Sequence, residues 1–282
     1  MTVNYINWNV DPVIFTIFGV SLRYYSVLFA GGLLLCIYIL SLIFRRENIP
    51  SGFLEKLSIY GVIGILIGAR LGHCLFYEPG YYFAHPLEMI LPIQHLSSGG
   101  YKFIGYQGLA SHGGALGLII ALVLYSLKTK QSLIKTLDLI AIVAPLEGCF
   151  IRLGNLMNSE IYGVETRLPW GFVFLRNGET TPKHPTQIYE ALSYLLILIV
   201  ALFLYKRIWP KIQNGFFFGL SLTLIFIARF FIEFIKERQV PFEKNLTIDM
   251  GQILSIPYII VGIGFITYGV IISKRKSDLK TG

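Results

Sequence analysis

Long apolar stretches separated by short basic clusters dominate the chain; Val20–Phe44, Gly215–Phe231 and Gln252–Ile272 are the clearest. A hydrocarbon core about 30 Å thick takes roughly 20 helical residues to cross, and these stretches meet that length. Continued along the chain, the same pattern predicts seven spans, over 20–44, 57–76, 112–127, 138–151, 189–205, 215–235 and 252–272. Basic residues gather after every second span: Arg45, Arg46 and Lys56; Lys128, Lys130 and Lys135; Lys206, Arg207 and Lys211; Lys274, Arg275, Lys276 and Lys280. By the positive-inside rule these clusters face the cytoplasm, so the N-terminus is expected outside and the C-terminus inside, which an odd number of spans requires. The connections 77–111 and 152–188 then fall outside, and their glycines, prolines and aromatics suit interfacial segments. The expectation is an all-α polytopic membrane protein, one integral membrane domain over residues 1–282, with no internal repeat.

Composition agrees. Of the 282 residues, 54% are hydrophobic and only 14% charged, far from the balance of a soluble domain. A net charge of +8 raises the question of nucleic acid, but the cations lie between spans, where they set topology, and no nucleic-acid partner is expected. The first span starts too far in, without a basic start or a small-residue cleavage pattern, to read as a removable signal peptide. Cys36, Cys74 and Cys149 show no CxxC pair and no metal-ligand spacing, and read as small core residues. Phosphate-loop, zincin and nucleophile-elbow motifs are missing from the sequence.

Assigning directions to the spans places their ionisable residues at the outer ends: Arg23 with Tyr24 and Tyr25, Arg70, His112, Arg152, Glu190, and Arg229 with Glu233. Asp138, at the inner start of the fourth span, is the main exception. Charge inside a bilayer is costly, so a group of such residues at one depth points to a shared polar cavity opening toward the outer leaflet. A channel or transporter would carry polar groups through the full depth. Each residue also has a plain structural reading. Arg23 and Tyr25 suit snorkelling and the aromatic belt, Arg70 suits snorkelling as well as it suits the cavity, and Arg229 with Glu233 makes an intrahelical pair. In the second span Gly61, Gly64, Gly68 and Gly72 recur at helical spacing and predict a close helix contact without chemistry.

The densest polar segment is Arg152-Leu-Gly-Asn155-Leu-Met-Asn158-Ser-Glu160-Ile-Tyr-Gly163, read as turn-rich at the end of a span. Its arginine offers a planar fork of donors to phosphate, its amides can bond ester or glycerol oxygens, and Glu160 can orient the arginine. This segment resembles the signature of the prolipoprotein diacylglyceryl transferase family, departing from its common form at Ile151 and Leu156, both apolar. The resemblance extends over nearly the whole chain. Asp11-Pro12, Tyr24-Tyr25, Gly68-Ala-Arg70, His112-Gly-Gly, His184-Pro-Thr-Gln187-Ile-Tyr189-Glu190, Arg229 with Glu233, and Met250-Gly-Gln-Ile-Leu-Ser-Ile-Pro257 follow the family's order. The stretch 98–111 is longer than the family form, with residues 101–107 added.

The resemblance implies an enzyme of the bacterial cytoplasmic membrane that moves the diacylglyceryl group of phosphatidylglycerol onto the cysteine thiol of a prolipoprotein lipobox. It also implies that no metal and no other cofactor is needed. Sulfur attacks a glyceryl carbon and a phosphate ester leaves, so the site needs a thiolate and stabilisation of growing phosphate charge. A cysteine with its usual pKa of about 8.5 is mostly protonated at neutrality, and His112 is the candidate base, beside the structural reading of a histidine at a helix start. With His112, Arg229 and Tyr25 are the expected catalytic residues. Arg152, Asn155, Asn158, Glu160 and Gly163 are expected to bind the lipid, supported by Arg70, Glu233, Gln187, Tyr189 and Glu190. Two other readings stay open: a lipid-binding protein that only holds an anionic headgroup, and a metal-dependent phosphatidyl transferase, for which Asp138 is the one aspartate on the inner face.

Overall fold

The computed structural model describes residues 4–17, 20–96, 99–103, 108–209, 211–212, 215–237 and 248–281, with side chains to residue 275 in the last segment. Residues 104–107 of the added stretch and the side chains of Lys276 and Lys280 lie outside the described residues. Among those described, six helices are long and apolar enough to cross a membrane. They are α1 (Tyr24–Arg46), α2 (Ser51–Phe76), α5 (Ser111–Thr129), α7 (Thr186–Ile208), α8 (Phe216–Glu233) and α9 (Met250–Thr281), the last apolar to Arg275. A seventh long helix, α6 (Leu133–Met157), spans roughly 37 Å at 1.5 Å per residue but carries Asp138, Glu147 and Arg152. The chain is thus a multi-pass membrane protein. It divides into two compact units, residues 1–15, 22–40 and 137–282 in one, 16–21 and 41–136 in the other.

Helix α1 starts at Tyr24, four residues later than the apolar pattern suggests. Val20–Arg23 forms a short strand, β3, paired with β2 (Val13–Ile17), and Tyr24 N–H donates to the Pro12 carbonyl at 3.0 Å. A β-branched residue followed by polar–apolar alternation favours the extended form there. The second correction is at the signature, where α6 continues to Met157, so Arg152 and Asn155 stand on a helix and only the rest of the segment is turn.

In the first unit, β1 (Ile6–Trp8) runs parallel to β6 (Phe172–Phe174), pairing Ile6 with Phe172 and Trp8 with Phe174. Trp8 Nε1 donates to the Leu156 carbonyl at 3.0 Å, and Leu156, Phe172 and Phe174 form a small core beside Trp8, Tyr162 and Ile188. Asp138 is fully buried and accepts from the backbone N–H groups of Gly215 (2.8 Å) and Phe218 (2.9 Å), capping the start of α8. Pro145 lies inside α6 and cannot donate to the carbonyl of Ala141. That oxygen accepts instead from Ser221 Oγ at 2.7 Å, so the break in the ladder ties α6 to α8. All three cysteines are free and buried.

In the second unit α2 packs on α5 through the small residues the spacing singles out. A Cβ on Gly68 would stand 2.3 Å from the Gly113 carbonyl, and one on Gly64 would meet Gly117, so the two backbones are in contact. Gly61 has nothing nearer than Leu118 at 3.8 Å and lies off this seam. Between the helices come α3 (Pro79–Ala84), α4 (Pro86–Ile90) and a hairpin of β4 (Ile93–His95) with β5 (Tyr101–Phe103). The start of the added stretch therefore supplies the second hairpin strand.

Candidate functional site

The end of α6 builds the site from within one element. Arg152 and Asn155 are one turn apart, and Arg152 Nη1 donates to Asn155 Oδ1 at 3.4 Å. Asn155 and Asn158 both donate their amides to Glu160 Oε1, at 2.8 and 3.0 Å. The chain can fold back this sharply because Ser159 and Ile161 both take left-handed backbone, with φ of 55° and 62°. For a β-branched isoleucine that conformation is strained, and neighbouring contacts hold it. Thr186 Oγ1 donates to the Ile161 carbonyl at 2.9 Å and Gln187 Nε2 to the Glu160 carbonyl at 2.7 Å, both from the first turn of α7. Gln187 therefore fixes the backbone of the signature. Gly163 does the same by its size: its N–H donates to the His184 carbonyl at 2.8 Å, and a Cβ there would stand 2.3 Å from the Ile235 carbonyl.

Arg152 leads from this turn to a buried ion cluster. Its Nε lies 3.1 Å from Glu190 Oε2, and Glu190 is wholly buried. The approach is an ion contact off the hydrogen-bond axis, since that oxygen accepts no well-directed hydrogen bond. Glu190 Oε1 faces Lys236 Nζ at 3.3 Å, and Lys236 also reaches Glu233 Oε2 at 3.6 Å. Burial pushes the Lys236 ammonium below the usual lysine range, against the opposing effect of Glu190. Glu233 in turn rests on the first turn of α9, where a Cβ on Gly251 would stand 2.3 Å from its carboxyl carbon. That contact explains the glycine of the Met250-Gly-Gln motif. Arg229 does not pair with Glu233 one turn away. Its Nε is buried and has no hydrogen-bond partner among the described residues.

Tyr25, half-buried at the start of α1, lays its ring on Gly154, where a Cβ would be 2.7 Å from the ring. Tyr189 points elsewhere: its hydroxyl accepts from Trp170 Nε1 at 2.8 Å and lies 3.2 Å from His184 Nδ1. Below the signature turn, Asn158, Ser159, Glu160, Tyr162, Asn177 and Glu237 line a polar cavity of about 360 Å³.

Two residues singled out in the sequence belong to the other unit. His112 is exposed in the first turn of α5, its ring near those of Phe76 (5.5 Å) and Tyr77 (5.8 Å). Arg70 is buried and donates to the carbonyls of Glu88, Met89 and Gly108, with its guanidinium 4.9 Å from the centre of the Tyr82 ring. Carbonyls from α4 and from the loop ahead of α5 converge on it, so its role is to hold those two segments.

Lys236 and Glu147 escaped the sequence reading. Lys236 lies just past the eighth helix, where a lysine reads as a surface charge, and only the Arg229…Glu233…Lys236 spacing at one-turn intervals could have flagged it. Glu147 sits mid-helix on α6 with both oxygens buried and unpartnered among the described residues, packed against Gly32 of α1. A carboxylate in the middle of a span was the available signal. Asp138, the aspartate weighed for a metal-dependent phosphatidyl transferase, is committed to capping α8, and no cluster of metal-ligating side chains occurs among the described residues.

Known proteins share this arrangement in sequence. The family model of the prolipoprotein diacylglyceryl transferases matches residues 12–268. A phosphatidylglycerol–prolipoprotein diacylglyceryl transferase of Bacteroides fragilis is 52% identical over 272 residues, covering 96% of this chain and 97% of that one. Relatives of the same name from Tolumonas auensis and Porphyromonas gingivalis are 43% and 42% identical, each covering more than nine-tenths of both chains. A match of this extent, over a chain whose signature residues form one connected polar site, places the protein in the prolipoprotein diacylglyceryl transferase family.

Proposed function

We propose that the cluster at the ends of α6, α7 and α8 receives the phosphate of phosphatidylglycerol, with Arg152 and Arg229 as its cations. The chain is the transferase that moves the diacylglyceryl group to the lipobox cysteine of a prolipoprotein, forming a thioether and releasing glycerol phosphate. The observation that carries the site assignment is the buried Nε of Arg229, a donor left open beside a paired Arg152. A buried donor without a partner is costly, and an arriving phosphate oxygen would satisfy it.

In the reaction the thiol loses its proton, sulfur bonds to the glyceryl carbon, and the carbon–oxygen bond to phosphate breaks with its electrons on the departing oxygen. The arginines offset that growing charge. Asn155, Asn158 and Glu160 hold Arg152 and the headgroup, with Gly163, Gln187 and Glu190 fixing their backbone and charge. Tyr25 offers its phenol to an ester or phosphate oxygen, and His112 takes the thiol proton. Tyr189 frames the wall of the site through Trp170 and His184, Glu233 completes its support, and Arg70 supports His112 indirectly by holding Gly108 ahead of α5. The reaction needs no metal or other cofactor, because the phospholipid is already activated.

With α6 counted, seven spans cross the bacterial cytoplasmic membrane, N-terminus outside and C-terminus inside. Both compact units supply spans, so the chain forms one integral membrane domain. The segments 77–111 and 152–188 lie on the outer side, and the site opens to the outer leaflet.

The test is to incubate the purified protein in detergent with phosphatidylglycerol and a lipobox peptide and to weigh the peptide. A diacylglyceryl increment with release of glycerol phosphate is expected. An unmodified peptide under conditions where the lipid binds would overturn the reading.

A further inference from the structure

Arg229 and Glu233 stand one turn apart on α8, the spacing at which a guanidinium and a carboxylate pair along a helix face. They are not paired. Glu233 Oε2 is 3.6 Å from Lys236 Nζ, an ion contact without a hydrogen bond, Lys236 is also 3.3 Å from Glu190, and Arg229 Nε is buried with no hydrogen-bond partner among the described residues. Lys236 is itself only 6% exposed, so these contacts are made away from water, where charges act strongly on each other.

The charges of the cluster do not balance. Among the direct ion contacts of the described residues, Arg152 and Lys236 reach Glu190, Lys236 reaches Glu233, and Arg229 reaches neither, so these contacts leave three cations to two carboxylates. Each carboxylate is engaged by Lys236, Glu190 is shared with Arg152, and the surplus cation is Arg229. Were Lys236 neutral, two carboxylates would remain for two guanidiniums, and Glu233 would turn one helical turn back onto Arg229.

We infer that Lys236 is a positioning residue that draws Glu233 away from Arg229 and thereby keeps the Arg229 guanidinium open for the lipid phosphate. The inference rests on the reading that Arg229 meets that phosphate. The ammonium never touches the reacting atoms; it acts by occupying the carboxylate that would otherwise close the site.

The experiment compares the wild type with Lys236→Met, Lys236→Gln, Lys236→Arg and the double variant Lys236→Met/Glu233→Gln. Peptide mass gives transfer as a function of phosphatidylglycerol concentration, and a fluorescent phosphatidylglycerol gives binding without turnover. Lys236→Met should raise KM and weaken lipid binding about tenfold, a change of about 1.4 kcal/mol, with a smaller effect on kcat. Lys236→Arg should stay near wild type. The double variant restores the surplus cation and should recover most of the lost affinity, which a purely structural role for Lys236 would not produce. If Lys236→Met does not fold, Lys236→Gln carries the same expectation. Unchanged lipid affinity in the neutral variants, or no recovery in the double variant, would overturn the inference. A wild type that binds the lipid but transfers nothing would sink the transferase reading, while the binding series would still decide the role of Lys236.

Discussion

Arg152 meets Glu190 on one side and Asn155 on the other, so its removal has two consequences. Arg152→Ala takes a cation from the proposed phosphate site and leaves Glu190 with the Lys236 ion contact. Losing one partner of a buried pair costs about 3–5 kcal/mol, and we expect kcat/KM to fall by at least roughly 100-fold in the peptide-mass assay. Normal turnover would remove Arg152 from the site. Arg70 behaves differently, because Arg70→Met orphans the carbonyls of Glu88, Met89 and Gly108, which lie outside the signature segment. The thermal midpoint in detergent should drop by several degrees, while the KM of the folded enzyme stays as it was. His184 supplies a pH dependence. Burial holds its imidazole below the usual histidine range, so the folded state favours the neutral ring. The unfolded chain then binds more protons as pH falls below about 6.5, and stability is lost as pH descends through the folded value. His184→Gln should flatten the thermal midpoint between pH 7.5 and 5.5, and an unaltered slope would assign the acid sensitivity to other groups. The signature's polar residues were readable from their spacing, and the structure joins them by hydrogen bonds. Lys236 was not readable, because a lysine beyond a span shows its burial only once Glu190 and Glu233 converge on it from two helices.

Helix boundaries tell a similar story. Apolar runs located every long helix but misplaced their ends, since ends are set by local hydrogen bonds that hydropathy does not see. The Val20–Arg23 strand is extended by its pairing with β2, and α6 runs six residues past its apolar core to deliver Arg152 and Asn155 on a helix. Glycine spacing was the more exact guide: it predicted a close helix contact along α2, and the structure supplies α5 as the partner and leaves Gly61 off the seam. Gly68→Leu should therefore force the helices apart and lower the thermal midpoint, at a cost of roughly 1–3 kcal/mol from overpacking. Gly61→Ala faces open space beside Leu118 and should be neutral or stabilising by up to about 1 kcal/mol. Equal effects at the two positions would mean that the seam at Gly68 is not what holds the pair.

At the scale of the whole molecule, the proposed seven-span topology has a direct test. Single cysteines introduced into a cysteine-free background at Asn48 and Asn177 should report it, with Asn177 labelled by an impermeant reagent in intact cells and Asn48 only after the membrane is opened. Labelling of both from the same side would remove the seven-span arrangement. The pairing of Ile6–Trp8 with Phe172–Phe174 adds a constraint in time. A ribosome delivers the chain from its N-terminus, so the first strand waits unpaired while more than half of the protein is made and inserted. Until Phe172–Phe174 arrives, Trp8 has no strand partner beside the Leu156 carbonyl it caps, and the base of the signature turn is unfinished. The signature turn, and with it the lipid site proposed there, is thus among the last parts of the chain to mature.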